Sequence, residues 1–116
     1  MPGLFGGGSL PADDASLLGT WDVAFTDTAG DGPMAMTLMI DTVEDGKVEG
    51  RIGGKPFLTS RSTVSEGELH WAATTRGEDG PFFHDARLVG GELHGTTLSI
   101  GQDTFRGWTA RKRAPN

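Results

Sequence analysis

The chain has 116 residues, enough for one domain with one core. A formal net charge of −6 argues against a nucleic-acid groove or a site for an anionic membrane surface, and no stretch approaches the length of an apolar membrane helix. There is no cysteine, which excludes disulfides, thiolate chemistry and cysteine zinc sites, and the 19 glycines are scattered rather than periodic, as expected of short strands joined by turns.

Residues 1–18 read as a flexible N-terminal arm. Gly6-Gly7-Gly8-Ser9 is flexible, Pro11 interrupts any helix, and Asp13 to Leu18 has room for one helical turn. Its apolar residues Leu4, Phe5 and Leu10 leave two readings open: a disordered arm, or one that caps a barrel end or docks on a neighbouring subunit. The start has neither the basic residues nor the apolar run of a secretory signal, so the chain reads as cytoplasmic, or as the processed form of a secreted protein.

Regular structure begins at Gly19. Trp21, Val23 and Phe25 alternate with Thr20, Asp22 and Ala24, the period of a strand with one dry face. After a loop at 29–33, Met36, Leu38 and Ile40 give the inward face of a second strand over 34–42. A third runs 47–52 with Val48, Gly50 and Ile52 inward, a fourth about 55–63, and a fifth 68–75 with Leu69, Trp71 and Ala73 inward. The sixth covers 82–89, the seventh 92–100 and the eighth 104–111. Asp45-Gly46, Gly53-Gly54, Glu66-Gly67 and Gly90-Gly91 mark tight turns. The segments starting at Asp45, Glu66 and Gly90 also share one form, a glycine turn followed by a charge, an aliphatic and a polar residue. These features predict an all-β fold, an eight-stranded antiparallel up-and-down barrel over 19–111, followed by a basic tail at 112–116.

Gly19-Thr20-Trp21 resembles the Gly-x-Trp opening of lipocalin-like and avidin-like barrels, the calycin type, and the segment from Asp103 to Arg111 is similar to their last strand. The resemblance implies that an arginine from near the end of the barrel covers the first-strand tryptophan; Arg111 is the first choice, with Arg106 or Arg113 behind it. It does not carry biotin chemistry, because the chain has no tyrosine and lacks the Asn and Gly-Ser expected after Trp21.

Alternation also predicts what faces the lumen. In the sixth strand, Phe82 and His84 share a face with Ala86 and Leu88; in the fourth, Phe57 brings Thr59 and Arg61; in the eighth, Trp108 and Ala110 bring Arg106. Trp21, Phe25, Met36, Phe57, Thr59, Trp71, Phe82 and Trp108 then form an apolar, aromatic wall suited to a hydrophobic or aromatic small molecule. Two alternatives share this barrel. One is a cofactor-independent isomerase, cyclase or lyase, with His84 as general acid or base and Arg61 or Arg106 holding an anion. The other is a structural or accessory subunit with a filled lumen.

His70 and His94 lie on the outer face two strands apart, ~10 Å, too far to share a metal. With no dinucleotide, phosphate-loop or nucleophile motif, no cofactor is expected. Outward Met34, Met39, Phe83, Val89, Leu98 and Ile100 exceed what a solitary barrel needs, which predicts a homo-oligomer.

Overall fold

A computed structural model of the chain describes residues 14–26 and 35–114. The expected arm residues Leu4, Phe5 and Leu10, the 29–33 loop and Met34 lie outside them. A 3-10 turn, Asp14–Leu17, leads into nine strands: β1 Gly19–Phe25, β2 Ala35–Glu44, β3 Lys47–Ile52, β4 Lys55–Pro56, β5 Thr59–Ser65, β6 Glu68–Gly77, β7 Gly80–Val89, β8 Glu92–Ser99 and β9 Thr104–Lys112. All pairings are antiparallel, and β1 pairs with both β2 and β9, so the sheet returns on itself. Leaving aside the two-residue β4, eight strands close the barrel, as alternation predicts. None of the described helical segments is long and apolar enough to cross a membrane.

Four of the turns are two-residue hairpins with positive φ at both central positions: Asp45-Gly46, Gly53-Gly54, Glu66-Gly67 and Gly90-Gly91. Turns of this hand match the right-handed twist of the strands they join, which fixes the register on either side. The core follows from that register. Trp21, Val23, Leu38, Ile40, Val48, Ile52, Leu69, Trp71, Ala73, Ala86, Leu93, Trp108 and Ala110 are all buried. Leu17, from the 3-10 turn, is fully buried among them and plugs one end.

The expected fourth strand is two. After Pro56, the Phe57 amide donates to the Gly50 carbonyl (3.0 Å) and the next amide, of Leu58, donates to the Thr74 carbonyl (2.8 Å). The chain thus crosses from the edge of β3 to the edge of β6, and the alternation slips by one residue. Phe57 packs against the core, but Ser60 is the next buried position, and Thr59 and Arg61 are exposed. Their expected lumen placement is corrected on this ground: period-2 counting fails across a break in pairing.

A second irregularity lies between β2 and β3, where the register shifts between Ile40 and Thr42 opposite Gly50. A Cβ on Gly50 would lie 1.9 Å from the Met39 carbonyl oxygen, and φ there is +159°. Side chains cannot relieve a clash with backbone, so Gly50→Ala should separate the strands at this bulge and destabilise the protein by about 3 kcal/mol. Urea unfolding checks this; an unchanged midpoint would mean the bulge is not as described.

Candidate functional site

The two ends of the barrel differ in chemistry. At the plugged end the indole N–H of Trp21 donates to the Leu17 carbonyl at 2.9 Å. Lys112 lays its ammonium 5.1 Å from the centre of the Trp21 ring and donates to the Ser16 carbonyl at 2.8 Å. The cation over the first-strand tryptophan is therefore Lys112, not Arg111, Arg106 or Arg113. The parity of β9 explains it. Ala110 is inward, so Lys112 is inward and Arg111 outward, where it pairs with Glu92 at 2.7 Å. Arg113, past the strand end, pairs with Asp22 and holds that carboxyl below its ordinary range. Arg111, Lys112 and Arg113 thus each make a separate contact to the barrel.

The opposite end carries the polar chemistry. Cross-strand register puts Ser60, Ala73, His84, Thr97 and Arg106 in one inward row from β5 to β9. His84 is buried, with both ring nitrogens engaged: Nε2 and the Thr75 hydroxyl are 3.0 Å apart, and Nδ1 and the Thr97 hydroxyl 2.9 Å. The Thr97 hydroxyl also accepts from the Trp108 indole N–H at 2.9 Å. The Trp71 N–H donates to the Ser60 hydroxyl at 2.8 Å. Every polar group in this layer thus has a partner, as burial requires. Removal from water pushes the His84 pKa down to about 4, so the ring is neutral near pH 7 and donates through only one of its two nitrogens.

Above and around this layer stand Phe25, Met36, Phe57 and Phe82, partly buried rather than sealed. Phe82 stacks on His84 at a centroid distance of 6.2 Å with ring planes 11° apart. Phe57 meets Trp71 at 5.6 Å, and Trp71 meets Trp108 edge-on at 6.5 Å. The Arg106 guanidinium lies 5.7 Å from the Phe25 ring centre. Trp21, Trp71 and Trp108 are almost fully buried and fill the middle of the barrel. Trp108 lies so close to Gly95 that a Cβ there would be 2.4 Å from its ring and 2.6 Å from the Asp85 carbonyl oxygen.

His84 and Arg106 thus share one row with Thr97 between them, whereas Arg61 is on the outer face. Sequence reasoning missed Ser60, Thr75, Thr97 and Ser99, all inward. Three of them were readable: counting by twos from Leu69 reaches Thr75, and from Leu93 reaches Thr97 and Ser99. Ser60 follows the slip at Phe57–Leu58 and has no such signal. No family model matches the chain, and neither does any curated protein or solved structure.

Proposed function

We propose that the chain is a binding protein of the calycin type that takes a hydrophobic or aromatic small molecule at the end of the barrel away from the 3-10 turn. The observation that carries this reading is the contrast between the two ends. One is plugged by Leu17 and tied by Trp21 and Lys112; the other has half-buried Phe25, Met36, Phe57 and Phe82 over the hydrogen-bonded His84–Thr97 layer. Apolar walls with a few fixed polar groups suit a small planar ligand. The tryptophans occupy the middle, so the ligand sits near the mouth, with Arg106 beside it to favour an acidic group on its rim. The Lys112–Trp21 contact lends the calycin reading support in kind only, because a lysine stands where such barrels place an arginine.

The enzyme alternative draws less support. A general base needs a free ring nitrogen within reach of substrate, and both nitrogens of His84 face threonine hydroxyls. Association draws support from one outward row, Phe83–Leu98–Phe105, paired across β7, β8 and β9 and exposed by 43, 37 and 65%. Val89 and Ile100 are exposed too. Apolar residues contiguous on an outer wall favour a homo-oligomer through that face.

Titration with anilinonaphthalene sulfonate, an aromatic anion, tests the site. Saturable binding of one probe per barrel is expected, with affinity falling about tenfold in Phe82→Ala and in Arg106→Gln. A folded protein that binds no probe, or variants that bind it as tightly as the parent, would refute the mouth site. Native mass spectrometry of the same sample reads the subunit count; a monomer at all concentrations would refute association.

A further inference from the structure

The outward side chains of β7 run Phe83, Asp85, Arg87, Val89: apolar, acidic, basic, apolar. This order is its own complement. A second copy of the strand laid against it in the opposite direction sets Asp85 against the partner's Arg87, Arg87 against the partner's Asp85, and Phe83 and Val89 against each other at both ends. All these pairs are symmetric about Ala86. The groups are available for such a contact. Arg87 has no hydrogen-bond or ion-pair partner among the described residues, unlike Arg111 and Arg113. Asp85 accepts from the Thr96 hydroxyl at 3.2 Å through one oxygen, which leaves the other for a second donor. Phe83 and Val89 are exposed.

The wall around β7 has the matching shape. A hollow of about 1070 Å³ crosses it and takes in three successive residues on each of β6, β7, β8 and β9. The middle ones, Trp71, Ala86, Gly95 and Trp108, are cross-strand partners in one line. Trp71, Ala86 and Trp108 are buried in the barrel and Gly95 has no side chain, so on its outer side the line is bare backbone. On one side of it the outward residues are short: Ala72, Thr96 and Gly107, in a row with Asp85. On the other side they are longer: His70, Arg87 and His94. A two-fold axis along the line lays the long row of each copy over the short row of the other, ridge into trough. Sheets that pack face to face in this manner lie ~10 Å apart with strands within ~30° of one another. Asp85 is the single acid among the described residues lining the hollow, so two copies of a chain with net charge −6 repel least here.

We propose that this hollow is filled by a second copy of the chain, as a two-fold dimer about the Trp71–Ala86–Gly95–Trp108 line, with each Asp85 paired to the partner's Arg87 and each Phe83 packed on the partner's Val89. The pairing rests on the association proposed above and adds its register, its charged residues and its closed symmetry.

Sedimentation velocity over a concentration series, with native mass spectrometry, tests it. Asp85→Arg alone and Arg87→Asp alone each set like charges opposite one another at both paired points, and each should weaken the dimer at least about tenfold. The two variants mixed in equal amounts should associate again, because every facing pair is then opposite in charge. Mixing does not rescue a variant that has merely lost its fold, and the mixed dimer has its own mass. A parent dimer that either single reversal leaves unchanged, or a mixture that stays monomeric, would overturn this register while the association itself stands. A parent that is monomeric at all concentrations would overturn both.

Discussion

Replacing Trp21 with alanine should cost the protein about 3–5 kcal/mol of unfolding free energy, the range for removing a fully buried aromatic side chain. Trp21 is 1% exposed and joins three parts of the chain that are distant in sequence. Its ring packs in the core beside Leu38, its N–H satisfies the Leu17 carbonyl, and its face receives Lys112. Alanine leaves a cavity and an unpaired buried carbonyl, and removes the surface that seats the lysine. Trp21→Phe separates these effects: it keeps much of the ring but loses the donor, so about 1–2 kcal/mol is expected. Urea unfolding midpoints measure both. An alanine variant within about 0.5 kcal/mol of the parent would place the indole outside the core and undo the plugged end.

The inward faces of β1 and β6 were the most legible part of the sequence, and the reason is physical. Trp21, Val23, Leu69, Trp71 and Ala73 lie on uninterrupted strands between tight turns, where alternation reports facing directly. The resemblance called for an arginine over Trp21, and the chain places a lysine there. Arg111 and Lys112 are neighbours, and which one is inward depends on the parity set by Trp108 and Ala110, carried past the expected strand end at residue 111. Thr59 and Arg61 were misplaced because the break at Phe57–Leu58 is a pairing event: two successive amides choose partners on different strands. Nothing in the composition of that stretch states which carbonyls they find. The hydrogen-bonded layer around His84 was half legible. Its histidine stands out in an apolar strand, but Thr75 and Thr97 are ordinary strand residues until the register sets them against its two nitrogens.

That register changes what a His84 variant should do. A histidine at the base of an open pocket could be replaced with little effect on folding. One held by Thr75 and Thr97 cannot, because His84→Leu leaves two hydroxyls in the barrel without their partner. The Thr75 side chain is 1% exposed, so water does not readily replace the ring. A loss of about 2–4 kcal/mol is expected, from two broken hydrogen bonds among buried groups. The same site gives a pH dependence with a definite sign. The folded-state pKa, about 4, lies below the ordinary histidine value of 6.5, so between them the unfolded chain binds the proton that the folded barrel refuses. Stability is therefore full above pH 6.5 and falls as the pH drops toward 4, by about 3 kcal/mol over that window. Asp22, held low by Arg113, adds a loss only at still lower pH, because its ordinary value is 3.8. Urea midpoints at pH 7.5, 5.5 and 4 (values chosen to bracket the window), compared between the parent and His84→Leu, isolate the histidine. The parent should lose stability more steeply than the variant, and the gap between them should narrow as the pH falls. Parallel curves would mean that the imidazole is open to solvent, and the hydrogen-bonded floor proposed for the ligand would be lost with it.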